Sequence, residues 1–111
     1  MHSHKKIDDR SLALAKQIVA HIDQDPQHKG LLKAQATCKR WQSILTGRGK
    51  ACADEWALIL QEPWETIRSI LLDTATNATR LRQNSPFCGV LTSKDRWRII
   101  KEYRNHDSRA A

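Results

Sequence analysis

The sequence lacks long apolar runs, and the longest, such as residues 70–72, contain only a few residues. A helix that crosses a bilayer needs about 20 mostly apolar residues, so no membrane span is predicted. The basic N-terminal segment, residues 1–10, is not followed by the apolar stretch of a secretory signal. We therefore predict a cytoplasmic protein with no membrane partner.

The sequence also has little that could hold a metal or form a disulfide framework. Its three cysteines have no CxxC spacing, and its five histidines form neither HxxxH nor HExxH. We predict reduced thiols, with Cys38 and Cys52 packed as small apolar side chains and Cys88 in a turn. Residues 46–50 contain GRGK but not the spacing of a phosphate-binding loop. No cofactor, metal site or catalytic residue is predicted.

Strand-like alternation and internal repeats are absent, whereas apolar residues recur at helical spacing. The pattern predicts one all-α domain over residues 1–111, with five or six helices. An N-terminal antiparallel hairpin of helices 9–24 and 29–45 is followed by shorter helices, at 51–60, from Pro63 and from Thr92. Residues 46–50 are predicted to break the chain between helices, and 74–83 to form a loop or a short helix. The ends, 1–7 and 107–111, are predicted to be flexible.

Acidic residues are scarce outside the middle of the chain, and the net charge is +7. Residues 1–50 carry ten Lys/Arg against four Asp/Glu, and residues 74–111 carry eight against three. Residues 51–73 are acidic, with five carboxylates and Arg68 as their one Lys or Arg. This balance favours an anionic partner, either a nucleic acid or an acidic protein.

The regular helical pattern breaks at residues 80–97, RLRQNSPFCGVLTSKDRW. We predict a rigid corner here, made by Pro86, Phe87, Gly89 and Trp97, with a helix cap at Thr92. The spacing of all four tryptophans, Trp97 included, predicts that they point into the core, with the alternative that one of them lies at an interface. Arginines beside the corner have an alternative structural role, because they can stack on Trp97 or bind the carbonyl groups of residues 84–89.

Basic residues surround this corner and are the predicted partner- or nucleic-acid-binding set: Arg80, Arg82, Lys94, Arg96, Arg98 and Lys101. Arginine binds carboxylates and phosphates through two parallel hydrogen bonds, so both kinds of partner remain open. A helix-turn-helix fits poorly, because the turn before the last helix is too long and contains Pro86 and Phe87. A purely structural, solvated surface is the third alternative.

The same segment resembles one found in small uncharacterised bacterial proteins, with the pattern LRQxSPFxGVL[ST]xx[DE]RW. The matching residues run from Leu81 to Trp97, and Glu55-Trp56 and the run PWETIRSILLD from Pro63 belong to the same resemblance. Where the bacterial segments have Ser, Ala and Glu, this sequence has Asn84, Cys88 and Asp95. The resemblance implies a bacterial, intracellular protein and a link to mobile elements or toxin–antitoxin systems. It implies no activity.

Three functions follow from these observations. The first is a non-enzymatic helical adaptor or regulatory protein that binds a partner protein and associates with itself through the N-terminal hairpin. The second is a nucleic-acid-binding, antitoxin-like repressor that uses the basic residues around the last helix. The third is a small metal-independent nuclease toxin, for which Arg98, Arg104 and His106 would have to converge on one phosphate.

Overall fold

The computed structural model describes the backbone of residues 2–110 and the side chains of residues 9–102. These residues form six α-helices and one 3-10 turn, which confirms the predicted all-α domain. The helices are α1 His2–Asp23, α2 Lys29–Ile44, α3 Gly47–Ile59, α4 Trp64–Leu72, α5 Thr76–Arg82 and α6 Ser93–Ala110, and the 3-10 turn is Pro86–Gly89. None of the helices, over the part of the chain described, is both long and apolar enough to cross a membrane.

The turn between α1 and α2 is built around Asp25. Its carboxylate accepts hydrogen bonds from the backbone N–H groups of Lys29 (2.9 Å) and Gln27 (3.0 Å). These bonds, that from Lys29 first, lower the pKa of Asp25 because they stabilise the ionised carboxylate. His28 has a positive φ of 49°, which turns the chain into α2. The connection therefore lies at residues 25–28, as predicted.

Helix α2 packs mainly against α3 and the 3-10 turn, whereas α1 packs mainly against α4, α5 and α6. Two bonds hold α2 to α3: the Cys38 thiol donates to the Ala53 carbonyl (3.2 Å), and the Gln42 amide donates to the Asp54 carboxylate (2.9 Å). The predicted α1–α2 hairpin is therefore not the main packing unit. The N-terminal hairpin was expected to pair two subunits, but α2 packs on α3 at Cys38 and Gln42 within one chain.

Helix α3 begins at Gly47 and not near residue 51 as predicted. The break after α2 comprises only Leu45 and Thr46, so the glycine-rich segment forms the first turn of α3. Gly47 has a φ of 61°, a conformation that glycine adopts without strain, and this lets the chain reverse directly into the helix. Of the two alternatives for residues 74–83, the short helix is correct.

The core is centred on Trp56, which has no exposed surface. Its indole N–H donates to the carbonyl of Leu81 at 3.0 Å, so the one polar atom of the side chain is satisfied. Ile22, Ile67 and Leu71 are buried around it, which brings α1 and α4 into the same cluster. The core thus includes residues of α5 and of the 3-10 turn, Leu81 and Phe87, and also Ile99 of α6.

Helix continues into both ends of the chain that were predicted to be flexible, since α1 begins at His2 and α6 ends at Ala110. Met1 and Ala111 lie outside the described residues. The flexibility of these ends stays a prediction.

Candidate functional site

The predicted corner is present and Phe87 anchors it. Ser85 caps the 3-10 turn by accepting a hydrogen bond from the backbone N–H of Phe87 (3.1 Å), and Pro86 occupies the first position of the turn. Phe87 is completely buried and meets Trp56 edge to face, with ring centroids 5.9 Å apart. A second aromatic contact joins Phe87 to Trp64 at 6.4 Å. These contacts hold the turn rigidly against the core.

The predicted position of Trp97 is wrong. Trp97 is 50% exposed, and Ile99 is the residue of α6 that is buried against the core. Gly89 ends the turn and lies near Lys33, without a contact that only glycine would allow. The corner is therefore made by Pro86 and Phe87, and Trp97 belongs to a surface.

Arg82 is only 8% exposed, so it does not belong to a binding surface. Its guanidinium donates to the Leu71 carbonyl (3.2 Å), to the Asp73 carbonyl and to the hydroxyl groups of Thr79 (3.1 Å) and Ser11 (3.2 Å). The predicted structural role of this arginine is thus supported, but the carbonyls are those at the end of α4 and not those of residues 84–89. Arg82 joins α1, α4 and α5.

Arg80 lies two residues away on α5 and points outward. Its guanidinium donates to the Glu55 carboxylate and to the Asn77 side chain, each at 2.7 Å. The Glu55 bond raises the pKa of Arg80, because the carboxylate stabilises the charged form. Arg80 therefore contacts an acid of its own chain and is a weaker candidate for partner binding.

The outward side of α6 brings the other predicted residues together. Lys94, Trp97, Arg98 and Lys101 recur at three- and four-residue steps, so they share one face, and all four are exposed. We call these four residues the α6 basic face. Asp95 borders it, with a carboxylate oxygen 3.8 Å from the Arg98 guanidinium. Sequence reasoning found the cations but missed the tryptophan among them.

Arg96 projects from the opposite side of α6. Its guanidinium donates to the backbone carbonyl of Cys88 at 3.4 Å, a weak bond to the corner. Arg96 also lines a groove of about 530 Å³ between α1, α6 and the corner, and Arg10 of α1 lines the same groove. The predicted set is thus divided among the interior (Arg82), an ion pair with Glu55 (Arg80), this groove (Arg96) and the α6 basic face, which contains the other three residues.

Within residues 9–102, the remaining reactive groups do not assemble into a site. Cys38 is buried, Cys52 is half-buried and Cys88 is exposed, and burial raises the pKa of the Cys38 thiol. Among the described side chains, no group of three His, Cys, Asp or Glu residues could hold a metal ion. The side chains of Arg104 and His106, which the nuclease hypothesis requires, lie outside the described residues.

The comparisons with known proteins give no family. No family model matches the chain, and neither the curated proteins nor the solved structures contain a match. The resemblance of residues 81–97 to small bacterial proteins stays a prediction.

Proposed function

We propose that this chain is a non-enzymatic helical adaptor or regulatory protein whose α6 basic face binds an acidic segment of a partner protein. The observation that carries the proposal is the exposure of Trp97. Half of this large ring is open to solvent, whereas Trp56 is fully buried and Trp41 and Trp64 are half-buried. Leaving one tryptophan out of the core of a small domain forgoes apolar burial, which favours a second use for it.

The composition of the face suits a protein partner. Tryptophan and arginine are the residues most enriched among those that dominate binding energy at protein interfaces, and here Trp97 and Arg98 are neighbours. Lys94 and Lys101 lie at the two ends of the face, where they complement carboxylates and increase the rate of association. An acidic segment with an apolar residue near its centre would match this arrangement.

A nucleic acid is the second candidate, and the +7 net charge favours it. The same arginine and lysines could bind phosphates, and Trp97 could stack on an unpaired base. The two candidates predict opposite binding preferences between a peptide and an oligonucleotide of the same charge. A nucleic-acid-binding protein prefers an oligonucleotide to an acidic peptide of the same charge, and an adaptor for acidic proteins has the opposite preference.

The experiment measures fluorescence anisotropy with a labelled ten-glutamate peptide that contains one central leucine, and with a ten-nucleotide single strand, at several salt concentrations. The peptide should bind more tightly, and the double variant Trp97→Ala/Arg98→Gln should weaken that binding at least about tenfold. The matched control is Leu58→Ala/Arg48→Gln, which removes an exposed apolar residue and an exposed arginine from α3.

The proposal fails if the peptide does not bind at low salt, or if both double variants bind it as the native chain does. Tighter binding of the oligonucleotide, lost in the Trp97→Ala/Arg98→Gln variant and steeply dependent on salt, would make the nucleic-acid candidate correct instead.

Self-association is the second part of the proposal. Because α2 packs on α3 within one chain, the exposed apolar residues of α2 are the candidates for a dimer contact, and Leu32 and Ile44 are 60% and 65% exposed. Light scattering over a hundredfold range of protein concentration tests this part separately. A monomer mass throughout that range removes self-association and leaves the binding of an acidic partner standing.

A further inference from the structure

The groove beside the corner is separate from the α6 basic face and has a different character. Its lining includes apolar residues from four parts of the chain: Leu14 and Ile18 of α1, Trp41 of α2, Leu71 of α4, and Leu91 after the corner. The polar residues Ser11, Gln83, Asn84 and Ser85 line it as well. Its volume of about 530 Å³ falls within the range of small-molecule sites, which is roughly 300–1,000 Å³. The groove is open to solvent, so a ligand could enter without a change of fold.

The described charged residues that line the groove all carry the same sign. Arg10 and Arg96 reach it from α1 and α6, and both are exposed. Arg82 forms part of the floor, where its bonds to Ser11 and Thr79 hold it in place. The described lining residues include no aspartate or glutamate. The groove therefore combines an apolar interior with a cationic border.

We propose that this groove binds an amphipathic carboxylate, an aliphatic chain of about eight to ten carbons with one anionic head. The chain would lie against the apolar walls and release their hydration water, and Arg96 would bind the carboxylate, with Arg10 as a second cation at the same groove. The positive border disfavours cationic amphiphiles.

This site does not depend on the proposed partner-binding function. Arg96 lies about 200° around the helix from Lys94, so it faces away from the α6 basic face. Loss of peptide binding at one surface and loss of carboxylate binding at the other are separately measurable.

The test is isothermal titration calorimetry of the whole chain with sodium decanoate below its micellar concentration. Decanoate should bind saturably at one site, and octanoate should bind roughly fifteenfold more weakly, because each buried CH₂ contributes about fourfold to affinity. Decan-1-ol, which lacks the charge, and decyltrimethylammonium, which reverses it, should each bind at least about tenfold more weakly. Failure of decanoate to saturate, or equal binding of the ammonium compound, would overturn the proposal.

Two variants test whether the ligand binds beside Arg10 and Arg96. Arg10→Gln/Arg96→Gln should weaken decanoate binding at least about tenfold, whereas Arg48→Gln, at an exposed arginine of α3, should leave it unchanged. Both altered residues are exposed, so the urea midpoint should stay near that of the native chain, which shows that the variant is folded. Unaltered decanoate binding in the folded double variant would refute the assignment of the carboxylate to these arginines.

Cys88 supplies an independent readout, because it lines the groove and its thiol is exposed. In a Cys52→Ser background, where Cys38 is buried, saturating decanoate should slow alkylation of Cys88 by iodoacetamide severalfold. Decyltrimethylammonium should not slow it. An alkylation rate unaffected by bound decanoate would place the ligand elsewhere and overturn the proposal.

Discussion

Removal of the Phe87 ring should destabilise this domain more than most single substitutions. Phe87 has no exposed surface and lies edge to face against Trp56 at 5.9 Å and near Trp64 at 6.4 Å. Truncation of a buried phenylalanine to alanine costs about 3–5 kcal/mol, since apolar contact is lost and a cavity remains. A domain of this size has a free energy of unfolding of roughly 5–15 kcal/mol, so Phe87→Ala should remove about a fifth of it or more.

A second substitution at the same position separates shape from aromatic contact. Phe87→Leu keeps most of the apolar volume but removes two aromatic pairs, each worth about 0.5–1.5 kcal/mol. We expect this variant to lose about 1–2 kcal/mol, clearly less than Phe87→Ala. The control is Leu58→Ala, at a leucine of α3 that is 67% exposed, which should change stability by no more than about 0.5 kcal/mol.

Urea unfolding followed by far-ultraviolet circular dichroism measures these differences. With a denaturant slope of about 2 kcal/mol per molar urea, Phe87→Ala should lower the midpoint by roughly 2 M. The role of Phe87 as the anchor of the corner would be refuted if this variant lost less than about 1.5 kcal/mol, or no more than Leu58→Ala.

Three further predictions concern other parts of the structure. Asp23 accepts hydrogen bonds from Trp64 and Arg68, which lower its pKa below the usual value of 3.8. Its stabilising effect is therefore present above that pH and is lost as the pH falls through the lowered pKa, so Asp23→Asn should flatten the decline in unfolding free energy between about pH 5 and pH 2.5. An unchanged decline would contradict this. Cys88 should react with a disulfide reagent much faster than Cys38, whose thiol is buried and has a raised pKa, as mass spectrometry of partly labelled protein would show; equal rates would count against this packing. Thr92→Ala removes the hydroxyl that accepts a hydrogen bond from the N–H of Asp95 at the start of α6. The free energy of unfolding measured in urea should fall by about 1 kcal/mol, whereas a loss below about 0.3 kcal/mol would mean that the cap contributes little.

Local signals predicted much of the helical framework. The Asp25-Pro26 pair marked the end of α1, the start of α2 at Lys29 was placed correctly, and Thr92 was identified as the cap of the last helix. Each of these depends on residues within one turn of each other, so backbone geometry and short-range hydrogen bonds decide them. The packing of α2 on α3 could not be predicted in the same way, because the spacing of the apolar residues of α2 does not show whether α1 or α3 covers them.

The orientation of arginines on α5 shows why the site was harder to predict than the fold. Arg80 and Arg82 are two residues apart, so on a helix they point in nearly opposite directions. The sequence left residues 74–83 as either a loop or a short helix, so the inward arginine could not be assigned. In the helix, Arg82 is four residues from the buried Ala78 and lies on the same side. The choice depends on the distant Leu71 and Asp73 carbonyls, which accept from Arg82, and on Glu55, which pairs with Arg80.

The orientation of Trp97 was also not decided by the sequence, but here an apolar residue lies on the surface instead of an arginine in the interior. The apolar residues of α6 at positions 97, 99 and 100 lie on two different sides of the helix. The size of the tryptophan side chain favours burial of the side that contains position 97. The core already contains Trp56 and Phe87 in edge-to-face contact, so the smaller Ile99 lies against it and Trp97 faces solvent. A residue that the hydrophobic pattern assigns to the core thus stands among three cations on the surface. This conflict between pattern and position is the physical reason to assign the function to the α6 basic face and the structural role to the corner.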